Sequence, residues 1–353
     1  MQITENEDNP LTMKSKLVLG IETSCDETGV ALYDTIEGLK GHKLYSQIKL
    51  HAQYGGVVPE LASRDHIKKL LRLTKELIDE TDININSIDS IAYTKGPGLS
   101  GALLVGTTVA NALGYSLKKP VISVHHLEAH LLSPLLSNPN IKFPFVALLV
   151  SGGHTQLVRV EDIGRYHLLG DTRDDAAGEA FDKTAKILGL PYPGGALLSE
   201  LARDGDASKY PLPKPMIHSG DLDFSFSGLK TAVANLVHKI GSKKVTASKT
   251  LKADIAASFQ NAVTDVLTDK CCRALFTEDT KSLVIAGGVG ANAELRRKVN
   301  QQAKKTGFEV HYPPLEFCTD NGAMVALVGG LKTNEGVYGA KPFDIKPRWP
   351  LSA

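Results

Sequence analysis

The chain of 353 residues has few cysteines, a single tryptophan and no long apolar run. Its four cysteines are an adjacent pair and two distant singles, which excludes a disulfide framework and favours a reducing compartment, the cytoplasm: Cys25, Cys271, Cys272 and Cys318. No stretch approaches the roughly 20 apolar residues of a membrane span, so no membrane partner is expected. Since 40 Lys and Arg balance 39 Asp and Glu, contact with nucleic acid would need a local basic patch or a partner's help.

The composition that is present is typical of a globular protein with two domains. Hydrophobic residues make up 42% of the chain and charged residues 22%, close to the globular average. At roughly 150 residues per domain, the length predicts two cores. Residues 1–16 include acidic side chains and lack both the apolar core of a secretory signal and the Arg-rich face of a transit peptide, so we predict a flexible leader there.

The hydrophobic pattern predicts an α/β protein whose two halves repeat one arrangement. In the first half, a buried strand at 17–22 and a returning strand at 29–33 flank a polar loop. In the second half, strands at 144–150 and 156–160 flank another polar loop. Because helices and further strands follow each unit, we predict a duplicated α/β architecture with a cleft between the halves.

Two histidines four residues apart form the clearest candidate for a metal site. His126 and His130 enter a predicted helix, and their spacing puts both imidazoles on one helical face. Glu128 lies between them, so the pattern differs from the H-E-x-x-H of zinc proteases, whose glutamate must reach the metal-bound water. With Asp320 as the best candidate for a third ligand, the set would suit Zn²⁺ or Fe²⁺. The alternative is a pair of surface histidines with ordinary hydrogen bonds.

Two loops between predicted strands are candidates for contact with a ligand. The acidic loop (residues 23–28) carries Asp26 and Glu27, which would repel a phosphate unless a cation intervened. A turn capped by Asp26 is the plainer interpretation. The glycine loop (residues 151–153) offers unobstructed backbone N–H groups to an anion, with an ordinary hairpin turn as the alternative.

Two glycine-rich segments resemble nucleotide-binding motifs incompletely. Residues 96–101 have the glycine spacing of a P-loop but lack its Lys and Ser/Thr, so we reject a Walker A motif. Residues 288–293 fit G-x-G-x-x-A, but Glu309 lies at the beginning of the next strand and not at its end. We therefore favour the base or ribose of a nucleotide, hydrogen-bonded by Asn292, over NAD.

Charged side chains cluster in two further places. Asp175, Glu179 and Asp182 have helical spacing and either line a cleft or form a solvated face. Five lysines without an intervening acid are either solvated surface or contacts for phosphates: Lys239, Lys243, Lys244, Lys249 and Lys252. No histidine lies near Cys25 in the sequence to activate it, which argues against a nucleophilic cysteine.

Nine motifs follow one another along residues 17–345. They are GIETSCDETG at 20–29, GGVVPELASR at 55–64, GPGL at 96–99, HHLEAH at 125–130, LVSGGH at 149–154, DAAGEAFD at 175–182, FSFSGLK at 224–230, GGV at 287–289 and CTDNG at 318–322. In this order they closely resemble the TsaD family of tRNA N6-adenosine threonylcarbamoyltransferases, formerly named O-sialoglycoprotein endopeptidases. No motif of the family is broken.

The resemblance implies a fold and a set of site residues. The fold is the actin/sugar-kinase/Hsp70-like (ASKHA) one, with two ribonuclease-H-like halves around a nucleotide cleft. We expect the halves at 17–139 and 140–324, with the segment from about 325 to 353 packing back on the first. The resemblance places one metal ion, Fe²⁺ or Zn²⁺, on His126, His130 and Asp320. It also implies substrate contacts at Leu149, Val150, Ser151, Gly152, Gly153, Asp182, Gly195 and Asn292.

The resemblance further implies an activity and partners. The threonylcarbamoyl group of threonylcarbamoyl-AMP, made by a separate synthase, passes to N6 of adenosine 37 in tRNAs that read codons beginning with A, releasing AMP. We expect the metal to polarise this group, and Asp26 or Glu27 to orient or deprotonate the amine as the catalytic residues. Bacterial family members act with a TsaB-like degenerate paralogue and a small TsaE-like ATPase.

A long predicted helix at 59–80 is our candidate for the paralogue interface, with core packing as the alternative. Its apolar face comprises Ile67, Leu70, Leu71, Thr74, Leu77 and Ile78. Three other functions compete with the transferase: a metallopeptidase, a non-catalytic scaffold and an ATP-dependent kinase or chaperone ATPase. The H-x-E-x-H pattern argues against the peptidase, and the presence of all three candidate metal ligands argues against the scaffold.

Overall fold

The computed structural model describes residues 15–333, 336 and 344–351. Most of the predicted leader therefore lies outside the described residues. Within the described ranges, ten strands form two five-stranded sheets: β1 (Leu17–Glu22), β2 (Glu27–Asp34), β3 (Gly38–Ser46), β4 (Ser90–Gly96) and β5 (Val121–His125), then β6 (Phe145–Val150), β7 (Thr155–Asp162), β8 (Arg165–Asp171), β9 (Ser282–Ala286) and β10 (Glu309–His311).

The two sheets have the same topology. The strand order is β3-β2-β1-β4-β5 in the first sheet and β8-β7-β6-β9-β10 in the second. In each, the first three strands are antiparallel neighbours and the last two continue the sheet in parallel. The duplicated α/β architecture predicted from the strand–loop–strand pattern is confirmed. The edge strands β3 and β8 escaped prediction because they are largely half-exposed and have no continuous apolar run.

The helices flank both sheets. Their bounds are α1 (Ile48–Ala52), α2 (Pro59–Thr81), α3 (Ser100–Leu117), α4 (His126–Leu132), α5 (Ala177–Ile187), α6 (Gly195–Leu201), α7 (Ser227–Ile240), α8 (Ser242–Ala247), α9 (Lys249–Thr277), α10 (Ala293–Thr306) and α11 (Gly322–Leu331). The predicted helix at 59–80 is confirmed as α2, which Pro59 begins because its missing N–H would be unpaired in the first turn anyway. In the part of the chain that the structure describes, no helix is both long and apolar enough to cross a bilayer.

Helices α4 and α11 lie in an apolar layer between the two sheets. Their side chains share one buried cluster with residues of β1, β4 and β5 from the first sheet and of β6, β7 and β9 from the second. Helix α11 approaches β1 so closely that a Cβ atom at Gly20 would stand 2.4 Å from the backbone nitrogen of Ala326. Both helices are thereby fixed against the two sheets at once.

The predicted domain boundaries stay a prediction. The described residues 325–331 belong to α11, which packs on the first sheet. Residues 334–335, 337–343 and 352–353 of the predicted C-terminal segment lie outside the described residues. What the fold contributes to the site is the placement of α4, whose seven residues are all buried and whose first residue follows β5 directly.

Candidate active site and metal centre

Three side chains predicted as metal ligands converge at the buried helix α4. His126 and His130 lie one helical turn apart, and Asp320 comes from the turn that precedes α11. The Nε2 atom of His130 lies 2.9 Å from Oδ1 of Asp320, and Nε2 of His126 lies 3.5 Å from the same oxygen. One ligand atom from each residue falls within 4.8 Å of the others. Residues 190 positions apart are therefore brought into one cluster.

The chemistry of this cluster fits a divalent metal ion. Two imidazole nitrogens and one carboxylate oxygen are a ligand set for Zn²⁺ or Fe²⁺ that leaves positions open for a substrate. Burial by itself lowers the pKa of His126, but the carboxylates of Asp320 and Glu22 raise it to about 9. Burial likewise favours the neutral form of Asp320, yet His126 and His130 hold the pKa of that carboxyl well below its usual range. The raised pKa of His126 and the lowered pKa of Asp320 both indicate that the cluster stabilises a positive charge.

Glu22, which the sequence reasoning missed, lies behind the cluster. It is the last residue of β1 and is fully buried. Its Oε2 lies 3.3 Å from Nδ1 of His126 and accepts a hydrogen bond from the Thr94 hydroxyl, while its Oε1 accepts one from the backbone N–H of Ser24. A carboxylate that accepts from the outer nitrogen of a metal-binding histidine fixes the tautomer that can bind metal. The sequence did carry one signal that could have pointed to Glu22, because it is a charged residue at the end of an otherwise apolar strand.

The acidic loop stands beside the cluster. Asp26 and Glu27 line a cavity of about 790 Å³ together with His126 and Asp320. Glu27 is the first residue of β2, and its Oε1 accepts a hydrogen bond of 3.2 Å from the Ser46 hydroxyl. Burial raises the pKa of Glu27 to about 9, and the negative charges of Asp320 and Asp26 add to the effect. The structure thus places both predicted catalytic carboxylates at the proposed metal centre.

The cavity continues into a second one along the second sheet. The second cavity measures about 610 Å³ and shares Gly152, Asp182, Gly288 and Thr319 with the first. The glycine loop, Ser151–Gly153, lines the first cavity. Added Cβ atoms at Gly152 and Gly153 would meet nothing within 4 Å and both residues are exposed, so a ligand can approach this backbone closely. The N–H of Gly153 makes one long contact, of 3.4 Å, with Oγ of Ser151. The cleft therefore runs from the metal cluster past this loop to α6 and α10.

The remaining predicted substrate residues occupy different positions around this cleft. Leu149 and Val150 are fully buried in β6, so they reach a ligand only through the backbone that leads into the glycine loop. Asp182 lines both cavities, and its Oδ1 accepts hydrogen bonds from the N–H groups of Gly194 and Gly195, at 2.9 and 2.8 Å. Gly195 lines the second cavity.

Asn292 also lines the second cavity, but its side chain is already hydrogen-bonded. Its Oδ1 accepts from the N–H of Leu295 and so caps α10. Its Nδ2 donates to Oγ of Ser199 at 2.9 Å and to Oε1 of Gln260 at 2.8 Å. Because both hydrogens of Nδ2 go to protein atoms, a nucleotide could accept a hydrogen bond from this side chain only by displacing one of them. The Oδ1 atom can still accept a second hydrogen bond, for example from a ribose hydroxyl.

Several cavity residues were not singled out from the sequence. His154 and Tyr192 line the first cavity, as does Lys186. Burial, reinforced by the charges of His126 and His130, lowers the pKa of His154 to about 4, so its imidazole is neutral. Burial raises the pKa of Tyr192 to about 12, with Asp26 the next cause, which keeps a phenol as a hydrogen-bond donor at the cavity wall. The one local signal for a site at His154 and Tyr192 was that each directly follows Gly or Pro residues of a loop.

Three competing interpretations lose support from the structure. Glu128 is turned away from the cluster, accepting hydrogen bonds from the Tyr166 hydroxyl at 2.7 Å and from Lys332 at 2.8 Å, so it cannot serve as the base of a zinc peptidase. Burial raises the pKa of the Cys25 thiol well above its ordinary value, which argues against a nucleophilic cysteine. Asp175 precedes α5 and pairs with Lys183, so it does not share a helical face with Asp182.

The predicted apolar face of α2 is divided by the structure. Leu70, Thr74 and Leu77 are buried in the core of the first half, whereas Ile67 is 64% exposed and Leu71 is 57% exposed. The six positions form one wide stripe, and only its inner side packs on the sheet, so core packing accounts for part of the stripe and leaves Ile67 and Leu71 on the surface. Within the predicted basic run, Lys249 forms an ion pair of 2.9 Å with Asp204.

Comparison with solved structures agrees with this fold. The chain is similar to component A of the (R)-2-hydroxyglutaryl-CoA dehydratase of Acidaminococcus fermentans, at 16% identity and a TM-score of 0.55, over 90% of this chain and 99% of that one. It is also similar to HypF of T. kodakarensis, at 15% identity and a TM-score of 0.56, over 91% of this chain and 48% of that one. The predicted ASKHA fold is confirmed.

Comparison with sequence families covers most of the chain. The family model described as "TsaD: tRNA N6-adenosine threonylcarbamoyltransferase" matches residues 38–327. A protein of that name from Methylobacillus flagellatus is 59% identical, over 95% of this chain and 98% of its own length. Another from Herminiimonas arsenicoxydans is 58% identical, over 96% and 98%. The chain therefore belongs to the TsaD family of tRNA N6-adenosine threonylcarbamoyltransferases.

Proposed function

We propose that this enzyme transfers the threonylcarbamoyl group of threonylcarbamoyl-AMP to N6 of adenosine 37 in tRNAs that read codons beginning with A. The observation that carries the proposal is the convergence of His126, His130 and Asp320 on one point of a cleft that Asp26 and Glu27 also line. In the reaction, the N6 amine attacks the carbamoyl carbon. A C–N bond forms, the C–O bond to the phosphate of AMP breaks, and the amine loses a proton as AMP leaves.

Positioning is the main task that the chain has to perform. The exocyclic amine of adenine is a poor nucleophile because its lone pair is delocalised into the purine ring. Holding such a nucleophile against its target can lower a barrier by about 7–11 kcal/mol. The cleft supports this role, since its two cavities of about 790 and 610 Å³ share part of their walls and offer room for a nucleotide and an acyl group side by side.

His126, His130 and Asp320 would hold one divalent ion, Fe²⁺ or Zn²⁺. When bound, such an ion supplies Lewis-acid polarisation of a carbonyl oxygen. Glu22 accepts the Nδ1 proton of His126 and so would leave the Nε2 lone pair available to the ion. The chain's own residues thereby prepare the site before any substrate enters.

The AMP moiety would lie along the second sheet. The exposed backbone at Gly152 and Gly153 suits the phosphate, since N–H groups that no side chain shields can surround an anion. Leu149 and Val150 support this loop through the backbone, while Asp182, Gly195 and Asn292 form the wall farther along the cleft. The adenosine to be modified would then approach from the side of the acidic loop, where Asp26 or Glu27 orients its amine. Because the pKa of Glu27 is raised to about 9, Asp26 is the better candidate to take the proton at neutral pH.

Two protein partners complete the proposal. The exposed side of α2, with Ile67 and Leu71, suits a TsaB-like paralogue because these apolar side chains have no partner within the described residues of this chain. A TsaE-like ATPase and a separate synthase that supplies threonylcarbamoyl-AMP are expected from the family's bacterial members. All four cysteines are free thiols, which suits the cytoplasm.

Mass spectrometry of tRNA nucleosides tests the proposal. Unmodified tRNA is incubated with this chain, synthetic threonylcarbamoyl-AMP and both partner proteins, and each component is omitted in turn. We expect threonylcarbamoyladenosine only when this chain is present, and not when His126→Ala replaces it at matched metal content. If a proven relative forms the product in the same mixture and this chain does not, the chain is a non-catalytic scaffold.

A further inference from the structure

A buried histidine outside the metal cluster contacts the acidic loop. His66 lies in the third turn of α2, on the side that packs against β2, and its side chain is fully buried. Its Nε2 lies 3.0 Å from the backbone oxygen of Cys25, and its Nδ1 lies 2.8 Å from Oγ1 of Thr28. These two contacts bracket Asp26 and Glu27.

The partners of His66 determine its protonation. A backbone oxygen can only accept a hydrogen bond, so Nε2 of His66 carries a hydrogen and donates it to Cys25. Burial lowers the pKa of His66, which leaves the ring neutral and makes Nδ1 an acceptor for the hydroxyl of Thr28. The imidazole of His66 thus forms one hydrogen bond with the carbonyl of Cys25, which precedes Asp26 and Glu27 in the chain, and another with the hydroxyl of Thr28, which follows them.

Other hydrogen bonds hold the neighbouring backbone in the same way. The N–H of Leu99 donates to the carbonyl of Ser24 at 2.8 Å, and the N–H of Gln47 donates to the carbonyl of Asp26 at 2.9 Å. Three consecutive carbonyls, at 24, 25 and 26, are therefore bonded to protein groups, while the side chains of Asp26 and Glu27 line the cavity. Among these three bonds, the one to Cys25 is made by a side chain.

We infer that His66 is a positioning residue that holds the carboxylates of Asp26 and Glu27 towards the substrate. His66 is not itself among the residues that line the cavity or form the metal cluster, so it acts through the backbone of Cys25 and the hydroxyl of Thr28. The inference rests on the proposed function, because it assigns to His66 the geometry that the transfer needs. It also makes α2, whose outer side carries Ile67 and Leu71, a direct support of the active site.

The test compares His66→Ala with Thr74→Val in the complete complex with both partners. Thr74 is a matched control because it is buried on the same helix, and its hydroxyl donates only within α2, to the carbonyl of Leu70. A misplacement of about 1 Å can cost roughly 100-fold in rate, so we expect His66→Ala to lower kcat about tenfold or more. The KM for threonylcarbamoyl-AMP should stay within about twofold, since the glycine loop is not touched.

The inference is wrong if kcat of His66→Ala stays within about twofold of wild type, or if Thr74→Val loses as much. Should His66→Ala fail to fold, Thr28→Val removes one of the two bonds with little change in volume. It should lower kcat, and Thr28→Ser, which keeps the hydroxyl, should lose less. Equal losses in both would overturn the inference.

A second readout separates this inference from the proposed function. If the wild-type complex forms no product, amide hydrogen exchange still reports whether His66 holds the loop. Faster exchange at residues 24–28 in His66→Ala than in Thr74→Val then supports the positioning role, and equal exchange overturns it.

Discussion

Replacing Glu22 with glutamine is expected to weaken metal binding roughly 10- to 100-fold while leaving the protein folded. The change keeps the size of the side chain and removes only its charge and one acceptor. In the wild-type site, Oε1 of Glu22 accepts from the N–H of Ser24, while Oε2 accepts from the Thr94 hydroxyl and faces Nδ1 of His126 at 3.3 Å. Glutamine has one oxygen for these three donors.

The magnitude follows from the forced choice of tautomer. If the glutamine oxygen stays on Ser24, its NH₂ group faces His126 and donates to Nδ1. That bond favours the imidazole with its hydrogen on Nε2, the nitrogen that faces Asp320, and this form has no lone pair for a metal there. Losing a hydrogen bond to a charged group costs about 1.5–3 kcal/mol. At about 1.4 kcal/mol for each factor of ten, the loss of affinity is roughly 10- to 150-fold.

The assay is a competition titration of metal-free protein with Zn²⁺ against a chromophoric chelator, together with thermal melts with and without Zn²⁺. Glu128→Gln is the matched control, because Glu128 is a buried carboxylate on α4 whose hydrogen bonds to described residues go to Tyr166 and Lys332 and not to the cluster. We expect it to lower the melting temperature without changing Zn²⁺ affinity. An affinity of Glu22→Gln within about twofold of wild type, or an equal loss in Glu128→Gln, would refute the tautomer argument.

On the outer side of α2, Leu71→Asp should abolish co-purification with the TsaB-like paralogue at an unchanged melting temperature, whereas Leu70→Asp, at a position only 1% exposed, should lower the melting temperature. A lower melting temperature for Leu71→Asp would assign it to the core. Gly20→Ala should cost about 1–3 kcal/mol of unfolding free energy in denaturant titrations, because its Cβ would stand 2.4 Å from the backbone of α11. Gly56→Ala, whose Cβ would meet nothing within 4 Å, should be nearly neutral, and equal costs at both positions would contradict the argument. Burial favours the neutral form of Asp174, but hydrogen bonds from the start of α7 hold the pKa of this carboxyl below its ordinary value of 3.8. The ionised side chain therefore stabilises the fold fully above pH 3.8, and this contribution is lost as the pH falls through the lowered pKa of the folded state. Asp174→Asn should therefore cost about 1 kcal/mol at neutral pH, and the difference should shrink below pH 3.8; a difference that is constant with pH would rule out the ionic contribution.

Much of the fold was predictable because it is encoded by neighbours in the chain. The alternation of apolar strands with helical stripes predicted β1, β6 and α2 to within one or two residues. Such patterns act over a few positions, since side chains two residues apart share a face of a strand and those three or four apart share a face of a helix. The edge strands, whose burial is incomplete, have no comparable pattern.

The candidate site was predictable where a motif carries it and unpredictable where packing decides it. The i, i+4 spacing of His126 and His130 fixes their common face on a helix, and Asp320 was the best candidate for a third ligand, which the resemblance to the family also implied. The same reasoning gave no role to Glu22 or His66, because a glutamate at a strand end and a histidine in a helix have many ordinary uses. The assignment of Asn292 to a ligand stays a prediction, and only the structure shows that its Nδ2 group already donates to Ser199 and Gln260.

By itself, the sequence determined the α/β class, the internal repeat, the family and the identities of the groups that would bind a metal. Only the tertiary structure decided which of those groups meet. The bond between His130 and Asp320 spans 190 residues, and the contact between His126 and Glu22 spans 104. Contacts of that range depend on how the two sheets enclose α4 and α11, which no local spacing encodes. The same packing decided that Leu70 is core while Leu71, its neighbour in the chain, faces outwards.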